Sequence, residues 1–529
     1  MRYRGLSTGL LVALVSSATP MVCYADFRID TGYYELIERI GAENMPTGDG
    51  VAVAQVEASE GGTNYAPNTS DPEISGHTFI DRSSGSPASS SHATTVARWF
   101  YGSTVSMAPL ADDINLYEAT GWVLDDFLRS NYSSSTAPLS MPAGIKVLNN
   151  SWIGSFGNVN NDQIVLRRMD YVVNRDQAII VVGVNNGDGA AHQPLLAYGF
   201  NNISVGVRSG NHASGDISSY EGSGRMLPLI CAPGELSSWS TAIVSSAVVM
   251  LVDQVRDDPD LHTDGQKSEV VKAVILAAAD HQDSGADDGS WSNNPSDSGV
   301  DRGTTIRPLD PVQGAGQVDV DRGHLIMGNG RIIGGVSPAT TPEAALRGWD
   351  RSFCLNGNAR TWNFTLGGMV EEVSIVAAWN RQVPVGFGST WTLGDFDLEL
   401  VQLDLDDNPV SLVGAGPEVF GSGNVLSSSA VDNVEHLYIR NLAPGRYQLR
   451  LSLEGGGVAN STAGIAWYFS DPEIVDVPGD INGDGAVNVD DLLQLLSEYG
   501  QCNGSCDSDL DGDGDSDVDD LLQLLQYMS

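Results

Sequence analysis

The chain has 529 residues, 41% apolar and 18% charged, and its 68 Asp and Glu against 27 Lys and Arg give a formal charge of −41. Length and composition fit an ordered protein of several domains and exclude wholesale disorder, while the charge excludes a nucleic-acid partner, which needs a basic face. Lys146, Lys267 and Lys272 are its only lysines, a surface suited to high solubility or to abundant divalent cation.

At the start, Arg2 and Arg4 precede a short apolar stretch, residues 9–18 (GLLVALVSSA), and Cys23-Tyr24-Ala25 supplies small residues at a cleavage point. Residues 1–25 are expected to be a secretory signal peptide, which makes the mature chain secreted and extracellular. No other run reaches the roughly 18 apolar residues of a bilayer-crossing helix, so no membrane span is expected. The mature chain keeps Cys231, Cys354, Cys502 and Cys506. Four cysteines in so long a chain mean that the fold does not depend on disulfides. Cys502 and Cys506 are spaced to close a small loop, and Cys231, in an apolar stretch, is expected to be buried.

Residues 26–335 alternate short apolar runs with helical patterns. Strands are predicted at 51–56, 145–148, 179–182 and 203–207, and helices at 164–173, 241–252 and 270–279. This alternation predicts an α/β domain, a parallel sheet with helices on both faces. Four residues able to carry amide hydrolysis fall at the ends of these elements. Glu57 ends the first strand, His92 begins a segment of small residues, Asn185 closes the strand 179–184 before a Gly turn, and Ser238 opens the helix leading to Leu251. Hydrolysis through a nucleophile needs a base, a carboxylate to orient it and donors for the oxyanion, and a Ser at a helix start has free N–H groups beside it.

In this order the segments resemble those of the subtilisin-like serine proteases (subtilases). Gly48-Asp-Gly-Val-Ala-Val-Ala-Gln-Val-Glu57 resembles the strand that ends in that family's catalytic Asp, and Ser91-His-Ala-Thr-Thr-Val-Ala97 resembles its His-Gly-Thr-His-Val-Ala helix. Val184-Asn-Asn-Gly187 resembles the oxyanion turn Gly-Asn-x-Gly. Gly222-Ser-Gly-Arg-Met-Leu-Pro-Leu-Ile-Cys-Ala-Pro-Gly234 resembles the stretch before the nucleophile, and Ser237-Ser-Trp-Ser-Thr-Ala-Ile-Val244 resembles Thr-Ser-x-Ala-x-Pro-x-Val. The resemblance implies a serine endopeptidase acting on protein or peptide substrate, with Ser238 as nucleophile, His92 as base, Glu57 as the orienting carboxylate and Asn185 in the oxyanion hole. The chain departs from the family at Glu57 (for Asp), at Leu236 (for the Gly before Thr-Ser), and at Ala93 and Thr95 in the His helix. A shifted register would put Gln55 in place of Glu57, but residues 48–57 match without a gap. Residues 26–56 are too few for the family's inhibitory propeptide. Asn150-Ser-Trp-Ile-Gly154 resembles a wall of the primary specificity pocket, where Trp152 either narrows the pocket or belongs to the core. The alternative is a catalytically degenerate subtilase acting as an extracellular binding or scaffold protein.

After the Pro/Thr-rich stretch 337–342 the apolar period becomes two: Trp362/Phe364/Leu366, Phe396/Leu398/Leu400, Leu437/Ile439 and Tyr447/Leu449/Leu451/Leu453. Residues 336–475 are therefore predicted to form an antiparallel β-sandwich, and 431–440 resembles the jelly-roll domains that follow some subtilase domains.

From residue 471 onward the chain carries 16 acids and no Lys or Arg, and residues 480–496 recur 29 residues later as 509–525. Oxygen-bearing side chains stand at loop positions 1, 3, 5, 9 and 12, with Gly at 6, the layout of a helix-associated calcium loop. The expected metal ligands are Asp480, Asn482, Asp484, Asn488 and Asp491 in the first loop, and Asp509, Asp511, Asp513, Asp517 and Asp520 in the second. Two such loops with Asp at position 12, each followed by one helix, resemble a type I dockerin module over residues 476–529. That resemblance implies two calcium ions as cofactor and a cohesin domain as partner.

Overall fold

The computed structural model describes residues 11–13, 26–281, 291–473, 478–482, 487–501 and 506–528. Most of the expected signal peptide, Asp484 and Cys502 lie outside the described residues.

Seven strands form one parallel sheet: β1 (Ala52–Glu57), β2 (Phe79–Asp81), β3 (Asp112–Glu118), β4 (Ile145–Asn150), β5 (Ile179–Gly183), β6 (Ile203–Val207) and β7 (Ile230–Ala232). Their spatial order is β7-β6-β5-β4-β1-β3-β2. Period-two alternation divides the apolar residues between two cores. Val53, Val147, Val181 and Val205 face a core shared with α1 (Ser91–Tyr101), α3 (Ser237–Arg256) and α4 (Ser268–Ala277). Ala54, Leu148, Ile180 and Val182 face the other core, filled by Val165, Leu166, Met169 and Val172 of α2 (Val159–Asp176). Helices therefore cover both faces, as predicted. Of the described helices, α3 alone has the length and apolarity of a membrane span, and 89% of its apolar window is buried inside the protein.

Strands β2, β3 and β7 were not foreseen, and β3 is the longest of them. Asn115 interrupts its apolar pattern yet is buried, because its side chain donates to the Val53 carbonyl at 3.2 Å and accepts from Arg82 Nε at 2.7 Å. Periodicity alone reads such a paired polar residue as exposed.

Two antiparallel sheets follow. Arg347–Leu355, Asn460–Phe469, Val370–Trp379, Val434–Leu442 and Phe420–Gly423 lie in order in one, while Asp395–Leu403, Gly445–Gly455 and Ala359–Leu366 belong to the other. Trp362, Phe364, Leu398, Leu437, Leu449 and Leu451 meet in the core between them, as the alternation predicted. Thr304–Thr305 adds a short strand to the second sheet from before the Pro/Thr-rich stretch. In Val370–Trp379, Val373, Ile375 and Ala377 point into the sandwich, whereas Val376 and Ala378 join the α4 core. The sandwich thus packs directly on α4, so closely that a Cβ at Gly464 would stand 2.3 Å from the Glu269 carbonyl oxygen. Cys231 and Cys354 are buried free thiols.

In the tail, helices Val489–Glu498 and Val518–Tyr527 pack through Leu495 and Leu524 onto Ile481. Cys506 is disulfide-bonded.

Candidate active site

In an open parallel sheet, ligands gather beyond the carboxyl ends of the strands where the order reverses. Here that point lies around β1, β4 and β5, and it is where Glu57, Ser151 and Asn185 emerge.

Glu57 is the last residue of β1 and is 1% exposed. His92 is the second residue of α1. Ser90 caps this helix by accepting the Ala93 N–H at 3.0 Å, and Glu60 accepts the backbone N–H groups of Ser91 (3.0 Å) and His92 (3.1 Å). Against the burial that alone would raise it, these N–H groups hold the Glu60 carboxyl below the usual range. The two side chains meet: His92 Nδ1 lies 2.9 Å from Glu57 Oε2. A carboxylate there makes Nδ1 the protonated nitrogen and leaves Nε2 a lone pair. His92 Nε2 is buried and has no hydrogen-bond partner. The longer arm of Glu57 therefore reaches the imidazole, and Gln55 does not take its place.

Ser238 is the second residue of α3, 7% exposed, and its Oγ donates to the Ser151 carbonyl at 3.4 Å. The other hydroxyls nearby are engaged elsewhere, Ser237 Oγ on the Val184 carbonyl at 2.5 Å and Ser240 Oγ on the Ala232 carbonyl at 3.0 Å. The Ser238 contact is long, so rotation about χ1 frees its oxygen at little cost. Leu236, where the resemblance expects Gly, has φ −131° and ψ 147°, extended backbone open to any residue.

Asn185 stands in the turn after β5, and its Nδ2 donates to the Ala191 carbonyl at 2.9 Å. The amide has a second hydrogen to offer. The Ser238 backbone N–H, in the first turn of α3, has no acceptor within the helix.

Several supporting residues escaped the sequence reading. Asn186 Oδ1 accepts the Ser237 N–H at 2.7 Å, capping α3 from outside because Leu236 has no capping side chain. Ser151 Oγ donates to the Ser238 carbonyl at 2.9 Å and accepts from Asn149 Nδ2 at 3.0 Å. Trp239 lies over His92 with ring centroids 5.3 Å apart. Trp152, for which the sequence left pocket wall and core both open, belongs to the α2-side core and donates to Asn150 Oδ1 at 3.2 Å.

Beside the site runs the short strand Ile153–Ser155. Leu11–Ala13 pairs with it antiparallel, Leu11 opposite Ser155 and Ala13 opposite Ile153.

In the second tail loop, oxygens of Asp509, Asp511 and Asp520 lie within 4.8 Å of one another. Asp520 turns inward and accepts from the N–H groups of Leu510 (2.7 Å), Asp511 (3.1 Å) and Asp517 (2.7 Å). Asp517 caps the helix, accepting the Asp519 N–H, and Asp513 stands outside the triplet, accepting the Asp515 N–H. In the first loop Asp491 repeats the pattern of Asp520 on Ile481, Asn482 and Asn488. Desolvation, then the charges of Asp513, Asp517, Asp520 and Asp509, push the Asp515 carboxyl up. Hard oxygen donors crowded in this way fit Ca²⁺.

No protein-family model matches the chain, and no curated protein does. Among solved structures it is similar to MycP1 from Mycobacterium smegmatis, at 17% identity and TM-score 0.35, over 60% of this chain and 89% of that one. It is also similar to fervidolysin from Fervidobacterium pennivorans, a keratinolytic enzyme related to subtilisin, at 13% identity and TM-score 0.35, over 78% and 59% of the two chains. For the MycP3 protease of the type VII (ESX-3) secretion system the values are 15%, 0.32, 60% and 94%. Likenesses this distant carry nothing about activity.

Proposed function

We propose that the chain is a secreted serine endopeptidase working through Ser238, His92 and Glu57, with a calcium-dependent docking tail. The observation that carries the first part is the buried 2.9 Å pairing of His92 Nδ1 with Glu57 Oε2, which leaves Nε2 with no partner. His281, paired with Glu372 at 3.0 Å, also has a buried Nε2 without a partner, so what sets His92 apart is its contact with Trp239, the neighbour of Ser238, where a general base needs that lone pair. In this mechanism Ser238 Oγ attacks the scissile carbonyl while His92 Nε2 takes its proton. Glu57 holds the Nδ1–H tautomer and offsets the imidazolium charge. The second hydrogen of Asn185 Nδ2 and the Ser238 N–H meet the oxyanion, and Nε2 then returns the proton to the leaving amine.

The pairing of Leu11–Ala13 with Ile153–Ser155 supports an extended peptide as substrate, since it is an edge on which a peptide backbone fits as an added strand. Removal of residues 1–25 as a signal peptide leaves that edge to substrate. Hydrolysis of casein by the purified chain, lost in Ser238→Ala, is the test. A wild-type chain without peptidase activity would leave the scaffold reading.

For the tail, the triplet Asp509, Asp511 and Asp520 supports calcium in the second loop, and the repeat extends the assignment to the first. Val489, Leu493 and Leu496 on one helix and Val518, Leu522 and Leu525 on the other form exposed apolar stripes at matching positions. Such stripes suit docking to a protein surface, with a cohesin domain as the proposed partner. Calcium titration of the full chain tests the assignment.

A further inference from the structure

We propose that Gln55, itself oriented by Tyr101, is a positioning residue for the Glu57–His92 pair. The proposal rests on the peptidase reading above. Gln55 and Glu57 are two residues apart on β1, so their side chains leave the strand on the same face. Gln55 Nε2 donates to Glu57 Oε1 at 2.9 Å, on the oxygen that His92 does not use. The same nitrogen donates to the Ala93 carbonyl at 2.9 Å, in the first turn of α1 and next to His92. Gln55 Oε1 accepts from the Tyr101 hydroxyl at 2.6 Å. Tyr101 is the last residue of α1, so one amide reaches both ends of the helix that carries the base.

The network has only one consistent orientation. Two acceptors, Glu57 Oε1 and the Ala93 carbonyl, face the nitrogen end of the amide, and a hydroxyl donor faces its oxygen. A flipped amide would set oxygen against oxygen twice and strand the Tyr101 proton. Gln55, Glu57 and Tyr101 are each at most 1% exposed, so no water competes for these bonds and each is strengthened by the dry surroundings. Burial, then the Glu57 charge, raises the Tyr101 phenol well above its ordinary range, so it remains a donor.

This arrangement gives a physical account of the Glu in place of the shorter carboxylate. A glutamate has one more rotatable bond than an aspartate and loses more freedom when fixed. The Gln55 amide removes that freedom, holding one carboxylate oxygen while the other meets Nδ1. Without it Glu57 can rotate away from the imidazole, and His92 loses both its tautomer lock and its counter-charge.

The test uses the full chain. Gln55→Leu is expected to lower kcat for peptide hydrolysis about 10- to 100-fold, as small misplacements of catalytic groups do, with KM changed less than about twofold. Tyr101→Phe, which removes one hydroxyl and keeps the ring, is expected to lower kcat less, and the double variant no further than Gln55→Leu, because Tyr101 acts through Gln55. The acid limb of the kcat–pH profile is expected to move to lower pH in both, since a loosely held carboxylate stabilises imidazolium less. A second readout needs no activity: in the Ser238→Ala background, the low-field NMR resonance of the His92 Nδ1 proton is expected to broaden or move upfield when Gln55→Leu or Tyr101→Phe is added. Unchanged kcat, acid limb and resonance would overturn the proposal, and so would a loss confined to KM. If Gln55→Leu does not fold, Tyr101→Phe decides by the same measures. A wild-type chain without peptidase activity overturns the peptidase reading, and the resonance then decides the positioning role alone.

Discussion

Asn186 Oδ1 accepts the backbone N–H of Ser237 at 2.7 Å, fastening the turn after β5 to the helix start that presents Ser238. It does for α3 what an N-cap residue does from within a helix, since Leu236 at that position has no oxygen to offer. Asn186→Ala is expected to destabilise the chain by about 1 kcal/mol, the usual loss of an N-cap bond. It also loosens the turn that holds Asn185, so hydrolysis is expected to slow. Denaturant unfolding and casein turnover check the two effects, and an unchanged midpoint would contradict the capping role.

Charge at Glu57 is expected to matter more than its length. Glu57→Gln keeps the shape but not the charge, and its amide can set the wrong imidazole tautomer, so turnover is expected to fall by about three orders of magnitude or more. Glu57→Asp keeps the charge and should retain measurable turnover, because a shorter arm weakens the contact without abolishing it. Steady-state kinetics on one peptide substrate separates them. Equal losses would contradict the electrostatic role.

Acid should destabilise the chain through His324, on the helix Val320–Gly328. Burial, then the Arg39 charge, lowers its imidazole from 6.5 to about 4, with Arg39 Nη2 3.1 Å from Nδ1. The unfolded chain takes up the proton first, so this group's contribution falls as pH drops through 6.5 and levels off below about 4. Thermal unfolding from pH 7 to about 4 is expected to show a smaller loss of Tm in His324→Gln than in the wild type. Parallel curves would contradict the assignment.

Chelation is expected to unfold the tail and spare the α/β domain. Asp509, Asp511 and Asp520 bring like charges within 4.8 Å, and a divalent cation removes that repulsion. Chelator should therefore lower helical circular dichroism and leave casein hydrolysis nearly unchanged, and Asp480→Ala with Asp509→Ala should mimic it. A tail that keeps its helicity in chelator would contradict the calcium assignment.

Periodicity made most of the architecture legible. The helix Ser237–Arg256 and the strands Ala52–Glu57 and Ile179–Gly183 follow from runs whose apolar residues are all buried, and the sandwich strands follow from strict alternation. The pairing of Glu57 with His92 was approachable because both stand at element ends in a recognisable order. What stayed hidden were polar residues whose burial depends on partners distant in sequence. Asn115 in β3 and Ser151 beneath Ser238 look in sequence like ordinary surface residues, and Gln55 like a stand-in for Glu57 in a shifted register, and only the fold supplies the carbonyls and carboxylates that satisfy them. Asn186 was hidden for a different reason, as a cap supplied from another element leaves no local motif.

If Ser238 acts as the nucleophile, its hydroxyl is activated, and a fluorophosphonate, which reacts with an activated serine hydroxyl, labels it in the wild-type chain, as mass spectrometry reads. A single adduct on the tryptic peptide that contains Ser238, absent from Ser238→Ala and strongly reduced in His92→Ala, is the predicted result. No adduct on the wild type, or one at Ser237 or Ser240 that persists in Ser238→Ala, would contradict it.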